Sequence, residues 1–177
     1  REGDAASALA QLAQNEVTRE SALTLALQTD GTLVLPHQLD LQLAAHRAAP
    51  LLELWARSGS ATDRKRLEQA LAHPETAALA SYALARSPTA AAEARLWQAM
   101  TEPKLRALAV RGLALRSHRL GTDLDALLKR LPDLLISKSP AERAAAAFAL
   151  GIVEPQQLAS LLGSKDAVVV RAAARLA

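Results

Sequence analysis

AERAAAAFALG, residues 141–151, sets the chain's single Phe among six alanines. Placing its Arg143 on Arg106 of PKLRALAVRGLAL (103–115) brings Ala146 onto Ala109, Ala147 onto Val110, Ala149 onto Gly112 and Leu150 onto Leu113. The stretch is therefore one copy of a unit. ETAALASYALA (75–85) fits the same frame with Ala77 in the arginine place, VTRESALTLAL fits through Arg19, and VVVRAAARLA fits through Arg171. AHRAAPLLEL fits through Arg47, with Pro50 where the other copies carry a small residue.

The anchors Arg19, Arg47, Ala77, Arg106, Arg143 and Arg171 are spaced by 28, 30, 29, 37 and 28 residues, a period near 29 with one insertion of eight. Within each copy the small and apolar residues recur at i, i+3, i+4 and i+7, which predicts an amphipathic helix. Before most copies lies a second candidate helix, over 4–14, 63–72, 90–100, 123–136 and 156–162. His73-Pro74, Glu102-Pro103, Ser139-Pro140 and Gly163-Ser164 punctuate the pairs. TDGTLVLPHQLDLQL breaks the pattern around Gly31 and Pro36.

A lone helix pair has no second surface against which to bury its apolar face, so recurring pairs must stack on one another. The expected fold is all-α: a right-handed α-solenoid of about six antiparallel helix pairs in a single domain over 1–177. The repeats fall near 4–28, 36–58, 63–86, 90–117, 123–151 and 156–177. In such a stack the alanines act as spacers, since Ala and Gly at a helix contact let two backbones approach closely. Arg1 is not a natural start and VVVRAAARLA stops inside a helix, so the sequence reads as part of a longer chain.

VVVRAAARLA, LRALAVRGLAL and ERAAAAFALG resemble the second helix of HEAT-like repeats, particularly the short bacterial type first described in phycobilisome lyases. The resemblance covers most of 60–177. It implies that the second helices line a concave surface, and that an Asp in a turn pairs with the Arg of the helix that follows. Asp166 would so pair with Arg171, whereas Arg106 and Arg143 have no Asp at that place.

Composition agrees with helices. Ala (41) and Leu (34) dominate, aromatics are 2%, and the only concentrated Val run is 168–170. No apolar run reaches the roughly 18 residues of a membrane-spanning helix, and no targeting segment is visible, which leaves the compartment open. Zero Cys excludes disulfides and thiolate metal sites. The net charge of +3 is unevenly spread: residues 1–60 carry 4 basic and 7 acidic side chains, residues 61–177 carry 17 and 11.

Five residues on from the anchors stand Thr24, Leu52, Tyr82, Arg111, Phe148 and Leu176, so the only Tyr and the only Phe share a repeat position with Arg111. Helical phase places Leu105, Ala109, Gly112 and Leu113 toward the core and 107, 111, 114 and 118 away from it. The expected binding stripe is Tyr82, Arg111 and Phe148, with Arg106 and His118 nearby, because aromatic and Arg side chains dominate binding hot spots. The alternative for Tyr82 and Phe148 is packing between neighbouring helices, and Trp55 and Trp97 read as core. Lys104, Arg106, Arg111, Arg116 and Arg119 form a basic cluster over 104–119 that suits phosphates.

GxSxG, GxxxxGK[ST], GxGxxG and HExxH are absent, and His37, His46, His73 and His118 fall at unrelated phases. No catalytic residue, cofactor or metal is expected. The leading expectation is a non-catalytic scaffold that presents its concave surface to a protein partner. The alternative is a nucleic-acid-binding or base-processing HEAT-like protein using 104–119. A third class, the bilin lyase or chaperone role of the phycobilin-attachment relatives, would require a bilin in the groove.

Overall fold

Ser139 opens the helix that carries AERAAAAFALG. Its Oγ accepts the Glu142 N–H, and Pro140 stands in the first turn, where a missing N–H costs no hydrogen bond. The fold is seen in a computed structural model that describes residues 8, 9, 11, 12, 15, 17, 18, 21, 22, 25, 49–58 and 60–177. Over 49–177 it is helical, with no strand among the described residues: α1 (Ala49–Ser58), α2 (Ala61–Ala72), α3 (Ala77–Arg86), α4 (Ala90–Ala99), α5 (Arg106–Leu120), α6 (Asp125–Leu128), α7 (Leu131–Leu135), α8 (Pro140–Val153), α9 (Leu158–Leu162) and α10 (Ala167–Ala173). The all-α expectation holds. Arg19, Thr24, Arg47, His37, His46 and the break at 29–45 lie outside the described residues, as do most of the expected repeats 4–28 and 36–58.

The chain forms two compact units, 1–92 and 93–177, and the boundary falls inside α4. In the first unit α1 packs on α3, and α2 packs on both. In the second, α8 lies between α5 and α10 and also covers α7, while α9 packs on α10. The anchored helices of consecutive copies thus lie against one another within each unit, α1 on α3 and α5 on α8 on α10.

Small residues make the contact close. Ala145, Ala146, Ala147 and Ala149 of α8 have no exposed surface, and Ala147 meets Leu161, Val169, Ala172 and Ala173 in a core completed by Leu135, Ala144, Leu150 and Leu158. A Cβ on Gly151 would lie 2.8 Å from side-chain carbons of Leu158 and Leu176. Leu105, Ala109, Gly112 and Leu113 are buried as their phase implies. Ala114 is buried as well, although helical phase turned it away from the core, because α5 buries more than the one stripe that phase assigned to it.

Two elements differ from expectation. The helix expected over 123–136 is broken into α6 and α7, because Pro132 supplies no N–H and its ring crowds the carbonyl four residues earlier. Likewise the helix expected over 156–162 begins with a 3₁₀ turn, Pro155–Gln157, before α9. Gly121 ends α5 in the left-handed conformation (φ 66°), its N–H donating to the Ser117 carbonyl at 2.7 Å.

One cap recurs in both units. Ser58 Oγ and Ser60 Oγ (2.8 Å) donate to the Asp63 carboxylate, while Ser60 caps the Asp63 N–H (3.1 Å). Ser137, Ser139 and Glu142 repeat the arrangement, with Ser137 Oγ donating to Glu142 Oε2. Both carboxylates sit in the first turn, at the positive end of the helix dipole.

Candidate functional site

Each candidate arginine does a different job, and the difference begins with where its helix starts. Arg106 is the first residue of α5, so its side chain reaches back to the end of α4 and across to the start of α8. Nε donates to the Met100 carbonyl at 3.0 Å and Nη1 to Glu142 Oε1 at 3.0 Å. Arg143, in the first turn of α8, repeats this one copy later. Its Nη1 donates to the Ser137 (2.8 Å) and Lys138 (3.2 Å) carbonyls, and its Nε to Asp166 Oδ2. Arg106 and Arg143 each therefore bind the acid that opens the next anchored helix. Asp166 pairs backward with Arg143, not forward with Arg171 as the resemblance implied, because it caps α10 through the Val168 N–H (2.8 Å) and so faces α8. The Val168 N–H and then Arg143 hold its carboxyl below the ordinary value of 3.8.

Arg116 is not a surface cation. It is 2% exposed, and its Nε meets Glu93 Oε2 at 3.3 Å. Of the basic cluster over 104–119, Lys104, Arg119 and the neighbouring His118 are exposed, whereas Arg106 is engaged within the fold.

Of the expected stripe, Tyr82 belongs to the first unit and Arg111 and Phe148 to the second. Tyr82 on α3 is 43% exposed, with the Arg86 guanidinium 5.5 Å from its ring centre and Arg86 Nη1 donating to its hydroxyl at 3.2 Å. Arg86 Nε meets Glu53 at 2.7 Å, and although burial lowers its pKa, the bonds to Tyr82 and Glu53 raise it further, so this cation is neutralised where it stands. Leu52, at the same repeat position, is wholly buried, so the position is not a uniform surface stripe. Trp55 is buried under Arg66, and Trp97 is half-buried.

Arg111 and Phe148 come together. The guanidinium lies 5.7 Å from the ring centre, and both line a recess of about 390 Å³ formed by α5, α8, α10 and Arg175 just beyond it. Arg171 and Arg175 supply two more cations, and Pro140, Ala141, Ala144, Val168 and Ala172 supply the apolar walls. Among the described residues no acidic side chain lines the recess, and none pairs with Arg111, Arg171 or Arg175. Burial, and then the like charge of Arg175, lower the Arg111 pKa from its usual value. The guanidinium stays charged, since nothing at neutral pH removes its proton, and the recess therefore holds uncompensated positive charge against an aromatic face.

Sequence reasoning had Arg111 and Phe148 but treated Arg171 only as an anchor, and it missed Arg175. Their i, i+4 spacing in VVVRAAARLA was the available signal, since it places both on one face of a helix. No group of metal-ligating side chains occurs among the described residues, and none of their helices is long and apolar enough to cross a membrane. Comparison with family models, with curated proteins and with solved structures finds no match.

Proposed function

We propose that this chain is a HEAT-like α-solenoid scaffold, non-catalytic, that binds a protein partner on the face built by its anchored helices. The observation that carries the reading is the recess spanning α5, α8 and α10, which three arginines without an acidic partner among the described residues line together with Phe148. Like charges held together without a counter-ion cost stability, and a fold that keeps them is matched to something that supplies the opposite charge. Arginine and aromatic side chains in a concave, partly desolvated place are the residue types that anchor protein interfaces. A nucleic-acid partner draws less support. Of the five cations over 104–119, Arg106 and Arg116 are held by Glu142 and Glu93, which leaves no continuous basic track for a phosphate backbone.

The test is capture from source lysate by the wild-type chain and by an Arg111→Ala/Phe148→Ala variant, with and without nuclease. The expected outcome is a stoichiometric protein that survives nuclease and is lost with the variant. Capture that disappears with nuclease, or is unchanged in the variant, would overturn the reading.

A further inference from the structure

Resting on that reading, we infer that the part of the partner seated in the Arg111–Phe148 recess is a short acidic segment, with clustered carboxylates flanking an apolar side chain. Three features of the recess select this occupant. Its cations are all arginine, whose planar fork matches a carboxylate with two parallel hydrogen bonds. Their charge is uncompensated, so a single carboxylate leaves positive charge over and adjacent acids satisfy more of it. Between them lie Phe148, Val168, Ala144 and Ala172, a surface that gains from an apolar side chain and gains nothing from a bare phosphate. The volume is within the range of about 300–1,000 Å³ usual for ligand recesses.

The geometry also explains why Arg111 is the residue on which the site turns. Its guanidinium lies over the Phe148 ring and the residue is half-buried, so it is oriented before the ligand arrives and little rotamer freedom is lost on binding. Arg171 and Arg175, both exposed, are free to close on the carboxylates from the far side. An oligonucleotide fits less well. The face of Phe148 on which a base would stack is shared with Arg111, and Arg106 and Arg143, on the same two helices, are engaged within the fold.

The experiment is fluorescence anisotropy with the full chain and three labelled probes: a peptide alternating Glu and Asp with Leu, its Gln and Asn isostere, and a single-stranded oligodeoxynucleotide. The acidic peptide is expected to bind, the isostere to bind at least about tenfold more weakly, and Arg171→Gln or Arg175→Gln each to weaken the acidic peptide about tenfold, as loss of a charge-assisted hydrogen bond implies. Phe148→Leu, which keeps an apolar side chain in the wall, is expected to weaken it as well. Equal binding of the isostere, tighter binding of the oligonucleotide, or binding unaffected by Arg171→Gln and Arg175→Gln overturns the inference. Because both of those side chains are exposed, the variants are expected to keep the wild-type far-UV circular dichroism. If the acidic peptide fails to bind while lysate capture still depends on Arg111 and Phe148, the acidic occupant falls and the scaffold reading stands. If capture does not depend on them, both fall.

Discussion

Arg175 is the clearest case of a residue whose cost to the folded protein and proposed use oppose each other. Its charge lowers the Arg111 pKa, so in the empty protein the two repel. Arg175→Gln is therefore expected to raise the thermal midpoint at low ionic strength while weakening acidic-peptide binding. Differential scanning calorimetry at low and high salt reads the first effect, which salt should shrink. A lower midpoint at low salt would mean that Arg175 is held by a favourable contact instead. Asp166 gives a prediction in pH. Its folded pKa is depressed, so its contribution to stability is present above the ordinary aspartate value of 3.8 and is lost as pH falls through the lower folded value. Urea unfolding across the acid range should show this limb in the wild type and a flatter one in Asp166→Asn. Identical limbs would mean that the Val168 N–H and Arg143 do not set the charge state of Asp166.

At the scale of elements, α8 is the piece on which the second unit depends. It touches α5, α7, α9 and α10 through alanines that have no exposed surface. Ala146→Leu forces extra methylenes into that joint and is expected to cost about 1–3 kcal/mol, read by chemical denaturation. Wild-type stability in the variant would show that the joint relaxes to admit a larger side chain. The start of α8 is as sensitive as its middle. Glu142 accepts from Ser137 and from Arg106 while its own N–H is capped by Ser139, so Glu142→Ala removes a charge-assisted bond and leaves Arg106 without its acid. A loss of about 2 kcal/mol is expected. Both effects were half legible in the sequence. The alanines announced close helix contact by their spacing, and Ser139-Pro140 announced a helix start. The bond from Arg106 to Glu142 spans 36 residues, and no local pattern points across that interval.

For the molecule as a whole, the anchored helices pack between neighbouring copies, α1 with α3 in one unit and α8 with both α5 and α10 in the other. If stability is a sum of such neighbour terms, as in stacked-repeat proteins, then Glu142→Ala should raise amide hydrogen exchange in α5, α8 and α10 and leave α1–α3 protected. Uniform loss of protection from α1 to α10 would instead mark one cooperative core and count against the solenoid proposal. The sequence by itself determined the all-α class and the face that α5 buries through Leu105, Ala109, Gly112 and Leu113, because small residues at a helix crossing must recur at helical spacing and Pro, Gly and Ser must punctuate the ends. It also marked Arg111 and Phe148 through their shared repeat position. Only the tertiary structure decided which arginines are engaged by an acid or a ring of the fold. Arg106, Arg111, Arg116 and Arg143 look alike along the chain, yet one bridges to Glu142, one lies on Phe148, one is buried against Glu93 and one reaches Asp166. An arginine's long stem lets its charge settle several ångströms from its own backbone, so its role is set by the acid or ring that the fold brings within reach.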